Sequence, residues 1–494
     1  MKTPLRLNLI TDPWIPVRTK SGVQRIIAPW QMTDPDLAFP DWPRPDLNIA
    51  CLEFLIGLVF LSDPPKDGDD WDIGRDEPRL KQQLGPYSAA FELSGDGTRF
   101  LQDLSPIEGA TNPPDMLFID SAGANSARNN ADLLVHRDRY AALDPALAAM
   151  ALYTLQAFAP SGGAGNRTSM RGGGPMVTLV DPGRGLWPLI WANVPEGTAA
   201  PIEALPWMRA TKTSEGKTQV YEAQTHRVEA FFGMPRRLRL KDDGMQITGV
   251  VQRPYGTNYA GWVHPLTPYY RQKPGSELLP AHPRAGVFGY RNWLGIVAAD
   301  PANELHQRAE VVAGWHERGQ GALADVLVAG WSMDNMKPRD FIYSRAPLLQ
   351  LEPARAMLLA GLVEAAKIFA SALRGALREV LAEGESREAQ REKFFLRTQS
   401  AFEEAVTKLT AVNCDPPAVA REWLTAMRCT ALTLYEETAL PGLDQRNTAS
   451  QQAIVRAHAS LRATLAGRGK QGDKAFSMLG LPVSEAPKPQ KDVA

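Results

Sequence analysis

Three short runs in this 494-residue chain carry residue types that can do chemistry, and each lacks a group that its mechanism needs. His136-Arg137-Asp138 has the triplet of a kinase catalytic loop, but Leu143 stands where the metal-binding asparagine belongs, and no lysine strand or DFG triplet accompanies it. His316-Glu317 opens like a zinc-protease helix, and Gln320 then occupies the place of the second histidine. Gly162-Gly163-Ala164-Gly165-Asn166-Arg167-Thr168 has the small residues of a phosphate cradle, with Pro160 in place of the first glycine and Asn166 in place of the lysine. The histidines, at 136, 226, 264, 282, 306, 316 and 458, form no local cluster at metal-ligand spacing. Cys51, Cys414 and Cys429 give neither a disulfide framework nor a zinc site. The expectation is a protein that is not an enzyme and holds no metal or cofactor. The alternative is a metal-dependent enzyme acting on nucleic acid, its groups converging from distant segments.

The segment Pro160 to Gly174 is rich in small residues, has no acid, and carries Arg167 and Arg171. Glycine lets a backbone approach another surface closely and adopt positive φ, and arginine can hold phosphate, so the segment suits a nucleic-acid groove. Composition equally allows a flexible connection between a helix and a strand. The formal net charge of −1 argues against coating nucleic acid by electrostatics alone, so any such contact is local or shared. Arg227, Arg236, Arg237, Arg239 and Lys241 form a basic run opposed only by Glu229, which reads first as a solvated face.

These residues sit in an amino-terminal region, to about residue 350, that mixes short apolar runs with frequent Pro and Gly, as an irregular α/β region with long loops does. Strand-like pieces are Met176 to Val180, Leu189 to Ala192 and Met245 to Val251. Helical spacing marks Leu52 to Leu61 and Asp144 to Phe158, the latter with Asp144 as cap and Pro145 in the first turn. The best membrane-span candidate, Ile49 to Leu61, is too short, and the amino terminus has no signal-peptide core, so the expected address is cytoplasmic with no membrane partner. From residue 351 to 470 four helical patterns follow one another, the first closed by Gly384, and an antiparallel four-helix bundle is the economical way to bury their stripes. Residues 471 to 494 read as a largely disordered tail. The fold class expected is thus α+β, an irregular mixed α/β domain followed by a helical one.

The stretch Asn8-Leu9-Ile10-Thr11-Asp12-Pro13-Trp14-Ile15-Pro16-Val17-Arg18, then Gly109-Ala110-Thr111-Asn112, the Pro160 to Gly174 loop and Trp262-Val263-His264-Pro265-Leu266-Thr267-Pro268 occur in the order seen in the CasA family. In this order the chain resembles CasA, the large subunit of the type I-E CRISPR Cascade complex, over about residues 5 to 470. The resemblance implies a non-catalytic antiviral-defence protein that recognises the protospacer-adjacent motif, or PAM, in double-stranded target DNA. It implies strand opening for guide RNA pairing and recruitment of a separate helicase-nuclease. Its other implied partners are the remaining Cascade subunits and the guide RNA. Delegating the long sequence to RNA pairing leaves the protein only a short motif to read.

Three DNA-binding places carry over. The family's glycine loop matches Ser161, Gly162, Gly163, Ala164 and Gly165, with Arg167 beside it; Ala164 stands where relatives have glycine, and its methyl limits the approach there. The family's basic finger, a lysine reaching the minor groove, falls at Arg253. A wedge that splits the first base pairs follows Gly330-Trp331, at Asp334, Asn335 and Met336 with Lys337 nearby; an ordinary turn before Pro338 is the competing reading. A loop that docks on neighbouring subunits and guide RNA is matched by Phe118, Asn125, Arg128, Asn129 and Asn130. Some relatives carry a cysteine cluster upstream of the Trp262 segment; none stands here, so no zinc is implied.

Overall fold

The computed structural model describes residues 6–121, 123, 128–130, 132, 135–137, 139–163, 165–319 and 322–482. They divide into two compact units, one drawn from Met1–Val287 and Gln307–Leu348, the other from Phe288–His306 and Leu349–Ala494.

The first unit is mixed α/β, built around the helix Pro45–Ser62. Pro45 sets φ for its first turn, and every residue except Pro45 and Asn48 is buried. A helix apolar on all sides belongs in an interior. It reaches further than the Ile49–Leu61 stretch; it and Pro353–Glu379 are long and apolar enough to cross a membrane by length and composition, yet 89% of the first is covered by the protein itself. Phe54 from this helix meets Trp14, Phe91, Phe100, Tyr153 and Phe232 edge to face at centroid distances of 5.3 to 6.4 Å. Such contacts add to the area the rings bury.

Small antiparallel sheets frame this core. Val177–Asp181 pairs with Asp325–Asp334, which pairs in turn with Lys337–Pro347 in a long hairpin. Ile247–Arg253 lies between Thr111–Asn112 and Arg237–Asp242. The expected strand at Leu189 to Ala192 is instead the helix Leu186–Ala192. Its run is too short for spacing to separate the two, and Trp187 stacks on Trp191 one turn on at 5.5 Å while Asn193 donates back to Leu189 O at 2.7 Å.

The second unit contains the helices Pro353–Ala376, Glu385–Thr410, Pro416–Ala439, Thr448–Leu465 and Gly469–Met478. The first ends at Ala376 rather than at Gly384, whose φ of 112° makes it the entry to the second. Two expectations about extent need correction. Residues 288–306 belong with these helices, because Tyr290 stacks on Phe402 at 4.3 Å, meets Trp423 edge-on and shares a 2.8 Å hydrogen bond with Thr398 Oγ1. The expected tail from 471 is helical to Met478, with Phe476 buried under Arg428. Residues 483–494 lie outside the described residues.

Candidate nucleic-acid interface

The helix Pro145–Phe158, capped by Asp144 Oδ1 on Ala146 N at 2.9 Å, delivers the chain into the glycine-rich loop. The loop closes on itself: Gly162 N donates to Asn166 O at 3.2 Å, Asn166 N to Gly163 O at 2.7 Å, and Ser169 N to Ala159 O at 2.9 Å. Ser161, Gly162 and Gly163 are left exposed. Gly163 has φ +65° and open space where a side chain would be. Ala164 lies outside the described residues. Arg167 is not free, since its Nε donates to Ser214 Oγ at 2.8 Å.

The strand Ile247–Arg253 ends beside this loop. Gln252 Nε2 donates to Asn166 Oδ1 at 2.9 Å and Tyr255 N to Gly165 O at 2.9 Å, so strand end and loop are fastened together. Tyr255 holds φ 64°, an unusual value for an aromatic residue, with its ring against Gly165: a Cβ there would stand 2.9 Å from it. Arg253 is exposed and, among the described residues, forms no ion pair.

The long hairpin reaches the loop at Gly173 and Gly174. Asp334 pairs with Lys337 across its tip, leaving Asn335 (φ 48°) and Met336 (φ 62°) as a two-residue turn with both central φ positive. That turn geometry follows strand twist and normally selects Asn and Gly, so a methionine held there, 44% exposed, carries backbone strain. Met336 Sδ would lie 2.8 Å from a Cβ on Gly173, and Trp331 O 2.5 Å from one on Gly174. Asp334 pairs with Arg339 at 2.7 Å, and Trp331 Nε1 donates to Asp46 Oδ2 at 3.2 Å, tying the hairpin to the core helix. The glycine loop therefore touches both the strand end, at Gly165 and Asn166, and the hairpin tip, at Gly173, although they are far apart in sequence.

Beneath the loop the polar groups are unequal. Arg171 is buried, and its Nη2 donates to Glu53 Oε1 at 2.6 Å. The reading of Arg171 as a phosphate holder is corrected accordingly. Burial pushes the Glu53 carboxyl up, but Arg171 and then His264, whose Nε2 is 3.4 Å away, outweigh it and hold the group below its ordinary range. His264 Nδ1 accepts from Leu266 N at 3.1 Å; burial, then the Arg171 charge, lowers this imidazole to about 4. It is neutral at pH 7, with its proton on Nε2. Arg236, 6% exposed, has no such partner: Nη2 donates to Pro160 O, Nε has none among the described residues, and burial lowers its pKa to about 10.

The basic run is thus not a uniform solvated face. Arg237 Nε pairs with Asp103 at 2.6 Å, Arg239 Nη1 donates to Asp103 O at 2.8 Å, and Arg227 pairs with Glu310. In the expected docking loop Phe118 is buried, stacked on Tyr140 at 4.6 Å and covered by Arg44. Arg128, Asn129 and Asn130 are exposed, and Asn130 Oδ1 accepts from Arg137 Nη2 at 3.0 Å. Asn125 lies outside the described residues. Tyr255, Glu53 and Arg236 escape a sequence reading: the αL value at Tyr255 has no residue signature, and the other two are defined by distant partners or their lack. Among the described residues, no three His, Cys, Asp or Glu side chains group as a metal site would.

A surface loop of glycines, an exposed arginine with no ion pair among the described residues and a strained hairpin tip thus all lie on one mixed α/β unit. The chain belongs to the family of CRISPR-associated protein Cse1, whose sequence pattern it matches over residues 8–434. It shares its fold with the CasA of Thermus thermophilus (TM-score 0.73, 19% identity, covering 93% of this chain and 99% of that one). It also shares it with Thermobifida fusca Cse1 (TM-score 0.74, 18% identity, 96% and 98%). A chain described as belonging to a CRISPR RNA-guided surveillance complex matches at TM-score 0.73 with 16% identity, covering 93% of this chain and all of that one.

Proposed function

We propose that this chain is the non-catalytic large subunit of a cytoplasmic type I-E Cascade surveillance complex. It recognises the PAM in duplex DNA, helps to open the strands for guide RNA pairing, and recruits the helicase-nuclease after target binding. In this reading the amino-terminal region to about residue 350 carries PAM recognition, and the carboxy-terminal helices act as a bundle that meets partners. The observation that carries it is one glycine-rich loop that exposes its Ser161–Gly163 backbone, is fastened at Gly165 and Asn166 to the strand that ends in exposed Arg253, and touches the Met336 tip at Gly173. Bare backbone admits a duplex closely, an arginine suits a narrow minor groove, and a strained apolar tip can enter a base step.

The test is capture of PAM-bearing duplex by the reconstituted complex in a gel shift. Reversing Arg253 to Glu, or replacing Asn335 and Met336 together by glycine, is expected to weaken capture about tenfold or more, as the loss of one good groove contact or wedge does. Unchanged affinity in both variants overturns these roles. The enzyme alternative predicts cleavage when the chain alone meets labelled DNA or RNA with a divalent metal; the expected result is intact nucleic acid.

A further inference from the structure

Arg236 is a buried guanidinium to which none of the described residues supplies a countercharge. Its backbone is clamped by Gln156, which accepts from Arg236 N at 3.0 Å and donates to Arg236 O at 3.0 Å, fixing where the side chain starts. The guanidinium passes under the start of the glycine loop: Nη2 donates to Pro160 O, and Nη1 lies 2.5 Å from where a Cβ on Gly162 would be. A side chain at 162 would crowd both the guanidinium and Asn166 Cβ, 2.7 Å from the same position. Even with its pKa lowered to about 10, the group is charged at neutral pH.

A cation desolvated without a partner is costly, and the cost falls when an anion approaches. The guanidinium lies against Gly162, which is exposed and brings no side chain, and the next residue, Gly163, also exposed, has nothing within 4 Å of its Cβ position. A low-dielectric surround focuses the field of a buried charge toward such an opening. We infer that the Gly162–Gly163 backbone over Arg236 is a phosphate seat that takes one phosphodiester of the duplex. The inference rests on the DNA-recognition reading above and adds to it a charge that acts from below the surface. Arg167, already engaged with Ser214, is not needed for it.

The experiment compares the salt dependence of PAM-duplex binding by complexes carrying the unaltered chain, Arg236→Gln and Arg236→Lys. Losing one neutralised phosphate is expected to make the slope of log K against log salt shallower by about 0.9, with affinity near 0.1 M salt down about tenfold and largely kept in the lysine variant. Guide RNA content is expected to stay constant. An affinity loss with unchanged slope means that Arg236 only braces Pro160, and loss of guide RNA means that the phosphate belongs to the RNA; either overturns the inference. Should Arg236→Gln not fold, Gly163→Asp against Gly163→Asn decides: both share the strained φ and size, and only the aspartate is expected to bind more weakly at low salt with a shallower slope of log K against log salt. Equal behaviour of that pair overturns the seat. A complex with the unaltered chain that binds no duplex at any salt refutes the DNA-recognition reading instead.

Discussion

The two ends of the glycine-rich loop handle an arginine in opposite ways. At the far end Arg171 is buried against Glu53, with Thr267 Oγ1 at 3.3 Å and Ala157 O at 3.3 Å accepting its other protons. At the near end Arg236 is buried against one backbone carbonyl and lies against the exposed Gly162 backbone. A compensated charge fixes a structure, while an uncompensated one is held ready for something outside it. The loop is therefore anchored where it meets the hairpin and open where a groove can reach it.

The hardest way to break this contrast is at the anchor. Glu53→Gln leaves the Arg171 guanidinium buried and unpaired, which is expected to cost about 3–5 kcal/mol of unfolding free energy in a denaturant titration. The double variant Glu53→Gln with Arg171→Met is expected to recover most of that loss, because removing both charges of a buried pair is often neutral. A small loss in the single variant would place the anchor elsewhere.

Acid sharpens the same contrast from the side of His264. Its folded pKa of about 4 lies below the unfolded value near 6.5, so below pH 6.5 the unfolded chain takes up a proton that the folded chain refuses. Stability is therefore fully present above that value and falls with pH down to about 4, by about 3 kcal/mol in all. Glu53, held below its ordinary value of 4.5, keeps its contribution down to about that pH and loses it progressively below it. Unfolding free energies at pH 7 and pH 4.5 check this. His264→Asn, which can still accept from Leu266 N, is expected to flatten the dependence, and a flat profile in the unaltered chain refutes it.

How much of this the sequence announces depends on whether the signal is local. The Asp144-Pro145 cap, the glycines of the loop and the periodic helices from Pro353 onward speak through their own residue types. The meeting of loop and hairpin is invisible there, because Gly173 and Met336 are far apart and nothing in either segment names the other. Glu53 sits in an apolar helix with Arg171 over a hundred positions on, and the basic run conceals one buried cation among paired ones. Tyr290 joins a helical unit that otherwise begins near residue 349, a union that only side-chain packing reveals.

The smallest effect separates the two ends by a single methyl group. Gly163 and Gly174 hold nearly the same φ, +65° and +64°, so alanine meets the same left-handed backbone penalty at each, about 1 kcal/mol. At Gly163 there is nothing further to pay, since no atom lies within 4 Å of the new carbon. At Gly174 that carbon falls 2.5 Å from Trp331 O, a backbone atom of the hairpin that cannot step aside like a side-chain tip, and overpacking of this kind adds about 2 kcal/mol. Paired denaturant titrations are thus expected to differ by about 2 kcal/mol, with Gly174→Ala the less stable. Equal losses would mean that the hairpin yields to the loop, and the far end would then be no more fixed than the near one.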